Sequence, residues 1–144
     1  MSEILTGCLT DMLMQQNGGD LDSFRTTYLD GIEHSDARTY YLEKLAEHGV
    51  NKSTAIENSG LEIHYAYQIL NGTKHPKRDK VLCLCIGGGL TLQETNRVLE
   101  RAELGSLYPK RMRDAIIMIG INRNVRAVWR INEMLSEYGE TLLS

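Results

Sequence analysis

The chain has 144 residues, two prolines, three cysteines and a formal net charge of −3. A chain of this length can bury one core, extended by flanking helices, but it cannot form two large independent domains. The odd number of cysteines and the wide spacing of the four histidines give no basis for a disulfide framework or a metal site.

Hydrophobic periodicity places the chain in the all-α class. Long stretches repeat their apolar residues every 3.6 positions, and we find no convincing strand pair. The start of the chain lacks the basic region and the apolar core that are typical of a signal peptide, and no apolar run approaches the roughly 20 residues of a membrane span. We therefore expect a cytoplasmic protein with no membrane contact, whose free thiols stay reduced.

The acidity of the chain is concentrated at its start. Residues 1–35 hold six acids and one base, residues 36–78 hold five acids and six bases, and residues 79–144 hold eight acids and nine bases. A nucleic-acid-binding domain usually carries a basic stripe. A net charge of +1 for residues 36–78 predicts that any binding to nucleic acid is weak for a single copy.

Residues 1–35 are predicted to form an acidic helical arm. A first helical stripe ends at Asn17, Gly18 and Gly19, and a second helix is predicted around Phe24 to Ile32. The first stripe consists of Ile4, Leu5, Cys8, Leu9, Met12 and Leu13. The arm could dock on the body or stay partly mobile until a partner binds. A third helix, capped by Ser35 or Asp36, is predicted to end at His48 and Gly49.

Two short helices separated by a glycine are predicted next. Asn51 is a strong N-cap for a helix over residues 52–58, and Gly60 supplies the left-handed backbone that ends it. A second helix is predicted from Glu62 to the pair Asn71 and Gly72. The apolar residues that should face each other and a shared core are Ala55, Ile56, Leu61, Ala66 and Ile69.

Two further helices complete this region. A helix over residues 81–86 is predicted to bury the thiols of Cys83 and Cys85. It ends at three glycines, 87–89, which indicate a helix stop because no phosphate-loop pattern accompanies them. Thr91 and Glu94 form a capping box that opens a last helix, ending near Leu104 and Gly105.

The C-terminal residues predict a helical hairpin over residues 111–119 and 125–138. Asn122 or Asn124 could cap the second helix, and Gly139 could close it. The pair carries more apolar surface than an isolated hairpin can bury. We therefore expect it to pack on the main core or on a second copy of the chain.

Residues 40–92 resemble the lambda-repressor-like, or XRE-type, helix-turn-helix family. The resemblance rests on Asn51 and Gly60, on buried Leu61 and Ile69, and on Asn71 and Gly72 followed by the basic stretch 73–78. A longer likeness, from residue 67 to residue 125, is to bacterial members with a helical C-terminal extension. The resemblance implies a five-helix DNA-binding domain over residues 36–104, an arm over 1–35 and a hairpin over 105–144.

The resemblance also implies which side chains would meet DNA. A helix-turn-helix places its second helix in the major groove. The base-edge candidates are Ile63, His64, Tyr67 and Gln68, and the phosphate candidates are Lys52, Ser53, Thr73, Lys74, Lys77 and Arg78. Only Gln68 has the chemistry for bidentate readout, which would be of adenine. The implied protein is a homodimeric transcriptional regulator that binds double-stranded DNA and needs no cofactor.

The same residues allow a second interpretation. Tyr65 and Tyr67 could pack over neighbouring helices, and the cations after the second helix could form an ordinary solvated charge run. A protein-interaction module that keeps the scaffold and has lost DNA binding would then explain the exposed aromatics and the acidic arm. No nucleophile, base or carboxylate pair occurs in a recognisable catalytic motif, so we predict no enzyme activity.

Overall fold

The computed structural model describes residues 30–144, with side chains from Ala37 onward. Within this range every regular element is a helix, so the predicted all-α class is confirmed for the part described. The seven helices are α1 (Asp30–Glu47), α2 (Lys52–Ser59), α3 (Ile63–Leu70), α4 (Arg78–Gly87), α5 (Leu92–Arg101), α6 (Met112–Asn122) and α7 (Val128–Glu137). The two helices predicted for the acidic arm, and Cys8, lie outside the described residues.

Helix α1 begins before the predicted cap. The helix runs without interruption through Ser35 and Asp36, so the prediction that one of these residues starts it is wrong. A capping residue is only a weak local preference, and helix-forming neighbours such as Glu33 and Ala37 can continue the helix through it. The helix is held to the core by Tyr41, whose buried hydroxyl donates a 2.6 Å hydrogen bond to the carbonyl oxygen of Leu84 in α4.

Helices α2 and α3 begin and end close to their predicted residues. The Asn51 side chain accepts the Thr54 amide at 2.8 Å, and Gly60 adopts a φ of 72° after the last helical residue, which confirms both predictions. Ser59 is buried, and its hydroxyl donates to the Ile56 carbonyl oxygen and accepts the Leu61 amide. These bonds explain why a polar side chain is tolerated at the turn.

Helix α4 is the central element of the described unit. All seven residues from Val81 to Gly87 are buried, including the thiols of Cys83 and Cys85. The helix ends at Gly87, within the glycine run that predicts a stop. A side chain at Gly87 would meet the backbone of α2, since a Cβ there would lie 2.7 Å from the Ser59 amide nitrogen. The glycine thus permits close backbone contact between α4 and α2.

Helix α5 carries the predicted capping box. Glu94 donates its amide to the Thr91 hydroxyl oxygen at 3.1 Å, and the Glu94 carboxylate accepts the Thr91 amide at 2.9 Å. The same carboxylate oxygen lies 2.7 Å from Nε2 of His48, at the end of α1. One side chain therefore joins the start of α5 to the end of α1.

Helices α6 and α7 form the C-terminal pair, with different caps from those predicted. Asn122 is the last residue of α6, Asn124 is a left-handed turn residue with a φ of 60°, and the N-cap of α7 is Ala127. The prediction that either asparagine caps α7 is wrong, because α6 continues beyond its predicted end at Ile119 and the turn lies at residues 123–127. Gly139 follows the C-cap of α7 with a φ of 68°.

The core is continuous from α1 to the last residues of the chain. Buried side chains of α6 and α7, such as Ile117 and Ile131, belong to the same cluster as Leu82 of α4. The C-terminal tail closes this core, since buried Leu143 exchanges two hydrogen bonds with the Asn132 side chain. No described helix combines the length and the apolar character needed to cross a membrane.

Candidate nucleic-acid interface

Helix α3 has one buried and one exposed face. Ala66, Ile69 and Leu70 are buried against the core. Ile63, His64 and Tyr67 are exposed, with fractions of 52% for Ile63 and 41% for Tyr67, and Gln68 is half-buried. We call these four residues the reading face. Its exposure follows from the 3.6-residue period, which turns positions 63, 64 and 67 away from positions 66, 69 and 70.

The start of α3 is capped by a carboxylate that sequence reasoning missed. The two oxygens of Glu62 accept the amides of His64 at 3.0 Å and of Tyr65 at 2.7 Å. These hydrogen bonds hold the pKa of Glu62 below its ordinary value. The first-turn amides of α3 are therefore already satisfied by an anion, and this helix end is unsuited to bind a phosphate. Glutamate is an uncommon N-cap, so the sequence gives little signal for it.

The turn after α3 is held by backbone and side-chain hydrogen bonds. The carbonyl oxygen of Gln68 accepts the amides of Thr73 and Lys74, at 2.9 and 3.1 Å. The Asn71 side-chain oxygen accepts the Thr73 amide at 3.0 Å and the Thr73 hydroxyl at 2.6 Å. The turn is thereby fixed to the last turn of α3. Lys74 and Lys77 extend from it as exposed cations.

The start of α2 carries two further phosphate candidates. Lys52 and Ser53 are exposed, and the Ser53 hydroxyl donates to the Asn51 side-chain oxygen at 2.9 Å. They belong to a different helix from the reading face. Thr73 and Lys74 are instead tied to the end of α3 by the hydrogen bonds of the turn, and Lys77 is the N-cap of α4.

Arg78 is placed differently from the other phosphate candidates. Its guanidinium forms a bidentate pair with Asp114 of α6, at 3.1 and 2.8 Å, and also donates to the carbonyl oxygens of Gly105 and Ser106. The Asp114 residue is only 3% exposed. Arg78 therefore joins α4 to α6, and we remove it from the phosphate set. The sequence shows that Arg78 lies in a basic stretch, but it does not show that Arg78 pairs with Asp114, 36 residues later.

A second ion pair runs beside the first with the charges exchanged. Arg113 of α6 donates to both carboxylate oxygens of Asp79 in α4, at 3.0 and 2.8 Å. The same guanidinium donates to the carbonyl oxygens of Thr141 and Leu142, which fixes the C-terminal tail. Adjacent residues 78 and 79 thus pair with adjacent residues 114 and 113. These crossed ion pairs fix the start of α4 to α6. Residues 74–77, which we call the Lys74–Lys77 turn, directly precede this start.

A groove of about 730 Å³ lies beside the α2–α3 turn. Its lining includes Leu61 and Tyr65 from the region of α3, and Val128, Trp129 and Leu143 from α7 and the C-terminal tail. Trp129 is 63% exposed. An exposed tryptophan beside a largely apolar groove is a common anchor for protein partners. The sequence placed Trp129 among the apolar residues of the hairpin but gave no sign that it would be exposed.

The described residues offer no metal centre, since residues 30–144 contain no group of three histidine, cysteine or acidic side chains close enough to hold an ion.

The two described thiols are poor nucleophiles. Burial raises the pKa of the Cys83 thiol to about 11 and also raises that of Cys85. A buried thiol that stays protonated does not attack an electrophile.

Comparison of the chain with protein-family models, with curated proteins and with solved structures gives no match.

Proposed function

We propose that the chain is a DNA-binding transcriptional regulator of the lambda-repressor-like type, with α1–α5 as its five-helix domain. The observation that carries the proposal is the reading face, exposed on a short helix that follows a left-handed glycine turn and precedes a cationic turn. In this proposal α3 enters the major groove and the Lys74–Lys77 turn lies against the DNA backbone. The protein acts in the cytoplasm as a non-enzymatic regulator.

The chemistry of the reading face favours A·T base pairs. Gln68 can pair bidentately with N6 and N7 of adenine, while Ile63 and Tyr67 can contact the methyl group of thymine. The helix α3 has no arginine or lysine to hold a guanine. His64 can donate or accept one hydrogen bond at a base edge. A site rich in A·T pairs follows from these side chains.

Three exposed lysines would supply most of the affinity. Lys52, Lys74 and Lys77 can each neutralise one phosphate and release a counterion. Glu57 lies in α2 and Glu62 is the N-cap of α3, and their carboxylates oppose the attraction between the lysines and DNA. One copy should therefore bind weakly. Two copies on half-sites about 34 Å apart would raise the affinity by avidity.

Selection of bound fragments from random DNA at low salt tests the proposal. We expect A·T-rich half-sites, repeated with dyad symmetry at a spacing of about one helical turn. Gln68→Ala should relax the preference at one adenine by about 1–3 kcal/mol and leave the other positions unchanged. Recovery of fragments with no common sequence, by a folded protein, would contradict specific readout.

A protein-interaction module is the second candidate, favoured by the exposed Trp129 beside its groove and by the apolar character of Ile63 and Tyr67. Capture from a nuclease-treated extract discriminates between the two functions. One stoichiometric protein partner, lost with Tyr67→Ala or Trp129→Ala, would support this candidate. Recovery of DNA alone from the untreated extract would support the regulator.

A further inference from the structure

The segment that leads from α5 into α6 carries only positive charge. Residues 105–111, which we call the 105–111 loop, include Lys110 and Arg111 and contain no acidic residue. Glu103 precedes the loop. Asp114, the first acid after it, is only 3% exposed and is paired with an arginine of α4. The exposed charge of the loop itself is therefore entirely cationic.

The loop lies beside the Lys74–Lys77 turn, which is the proposed contact with the DNA backbone. Arg78 directly follows this turn, and its Nε and Nη2 atoms donate to the carbonyl oxygens of Gly105 and Ser106, each at 3.2 Å. These residues are at least 27 positions from Arg78 in the sequence. The fold thus brings together two cationic segments that are distant along the chain.

The backbone of the loop is held at several points. Leu107 is buried, and its amide donates to the Asn96 side-chain oxygen at 2.8 Å. The Tyr108 amide donates to the Asp114 carboxylate at 2.9 Å, and the Arg111 amide donates to the Tyr108 carbonyl oxygen at 3.0 Å. A segment that is already fixed loses little conformational freedom on binding, which lowers the entropic cost of a contact.

The side chains that extend from this fixed backbone are accessible and chemically suited to phosphate. Tyr108 is 50% exposed, and Lys110 and Arg111 are exposed as well. Arg111 is the N-cap of α6, but its side chain makes no capping hydrogen bond, so the guanidinium is not needed to begin the helix. Arginine, lysine and tyrosine side chains all donate to phosphate oxygens in complexes with DNA.

We propose that the 105–111 loop is a second contact with the DNA backbone, in which Tyr108, Lys110 and Arg111 bind phosphates next to those bound by the Lys74–Lys77 turn. The inference rests on the proposed function, because it extends the same interface from the first five helices to the C-terminal pair. It gives Arg78 a positioning role, since this guanidinium binds the loop and not a phosphate. The partner is selected by charge, because duplex DNA presents a regular array of negative charge to such a surface.

The loop changes the electrostatic account of binding. Each copy has three lysines for phosphate in α2 and the Lys74–Lys77 turn, and the loop adds two cations. At about 0.9 counterions released for each neutralised phosphate, the salt slope should rise in magnitude from about 2.7 to about 4.5 per copy. The hydroxyl of Tyr108 is neutral and adds a hydrogen bond without changing this slope.

A salt titration of binding to sheared genomic DNA tests the contact. Lys110→Gln with Arg111→Gln should lower the slope by about 2 per copy, so that the advantage of the unaltered chain shrinks about tenfold between 50 and 200 mM salt. An unchanged circular dichroism spectrum shows that the variant is folded. A slope equal to that of the unaltered chain would overturn the proposal.

The matched control removes two cations at the other end of α6. Arg123 is the C-cap of this helix and Arg126 follows it, and both are exposed. The two ends of the eleven-residue helix are about 15 Å apart. Arg123→Gln with Arg126→Gln should leave the salt slope unchanged. A reduction equal to that of the loop variant would show that total charge, and not the loop, determines the slope, and would overturn the proposal.

The sequence dependence of the loss gives a second test. A phosphate contact weakens binding to all sequences by about the same factor. Lys110→Gln with Arg111→Gln should therefore weaken binding to a selected site and to genomic DNA equally, whereas Gln68→Ala should act on the selected site alone. A loss confined to the selected site would contradict a role of the loop at phosphate.

Cross-linking places the loop on DNA directly. Tyr108→Cys, labelled with a photoreactive group, keeps both loop cations and should cross-link to bound DNA on irradiation. Asn122→Cys, exposed at the last residue of α6, is the control and should give no more product than the unaltered chain with its own cysteines. Equal yields from the two labelled variants would contradict the proposed contact.

The loop contact and the regulator can fail separately. A salt slope that depends on Lys74 and Lys77 but not on Lys110 and Arg111 would refute the loop contact and leave the regulator standing. A folded chain with no affinity for any DNA at low salt would refute both. Separate losses of about 2 per copy from the two pairs of substitutions would support both.

Discussion

Gly87 determines how closely α2 approaches the central helix. A Cβ at this position would collide with the carbonyl oxygen of Ala55 and approach the Ser59 amide nitrogen, which are both backbone atoms that cannot rotate away. A Cβ at Gly120 would collide with the end of the Ile131 side chain and would touch the Met134 sulfur, and both are side-chain atoms. Both glycines lie in helices, so alanine gains roughly 1 kcal/mol of helix propensity at each. The two sites therefore differ mainly in whether the neighbour can move.

We predict that Gly87→Ala lowers the free energy of unfolding by about 1–3 kcal/mol or more, and that Gly120→Ala has a clearly smaller effect. Urea denaturation followed by circular dichroism measures both. Equal free energies of unfolding for the two variants would contradict the close backbone contact between α4 and α2.

The crossed ion pairs should make the free energy of unfolding depend on pH. Burial opposes ionisation of Asp114, but hydrogen bonds from Arg78 and from the Tyr108 amide outweigh it and hold the pKa of this carboxyl below its ordinary value. The pKa of Asp79 is lowered chiefly by Arg113. Because the unfolded carboxylates take up protons first as the pH falls, this stabilisation is complete above about pH 5 and is lost as the pH falls through the folded pKa.

Asp114→Asn should therefore cost about 1–3 kcal/mol at neutral pH, since Arg78 loses its charged partner. The difference from the wild-type protein should shrink as the pH falls below about 4. Urea midpoints measured from pH 7 to pH 3 give the comparison, with exposed Glu133→Gln as a control of unchanged stability. A constant difference across this range would mean that the Asp114 charge does not contribute.

At the scale of the element, the capping box of α5 gives a direct prediction. Thr91→Ala removes the acceptor of the Glu94 amide and should cost about 1 kcal/mol, whereas Thr91→Ser keeps the hydroxyl and should stay within a few tenths of the wild-type value. Thermal unfolding of the three proteins provides the measurement. Equal losses in the alanine and serine variants would show that the threonine methyl, and not the cap, is responsible.

The sequence predicted the elements well where the signal is local. The Asn51 cap, the Gly60 turn and the Thr91–Glu94 box each depend on residues within three positions of each other, and all three are confirmed. The caps of α1 and α7 were wrong because Ser35, Asp36, Asn122 and Asn124 are compatible with caps, helix interiors and turns alike. The outward positions of Ile63 and Tyr67 on α3 were implied by the family resemblance, and both side chains are exposed.

The contacts that the sequence could not predict are those between distant residues. Arg78 pairs with a carboxylate 36 positions away, and Gly87 touches the backbone of a helix that ends 28 positions earlier. A basic stretch and a glycine run have several local explanations, and only the tertiary packing selects between them. The Glu62 cap was missed for a different reason, since glutamate rarely serves as an N-cap.

At the scale of the whole molecule, the C-terminal pair is part of the same core as the first five helices. Buried side chains of α6 and α7 join those of α4, and the crossed ion pairs fix α6 to the start of α4. The reading face and the C-terminal pair thus belong to one unit, Ser35–Ser144.

The central claim is that DNA lies against the Lys74–Lys77 turn, and the salt dependence of binding tests it most directly. We predict that the logarithm of the association constant falls steeply with the logarithm of salt concentration. Lys74→Gln with Lys77→Gln should reduce the slope by about 2 per copy. Arg126→Gln with Arg130→Gln, which removes two exposed cations elsewhere, should leave the slope unchanged. Equal slopes for the wild-type protein and the lysine variant would contradict the claim.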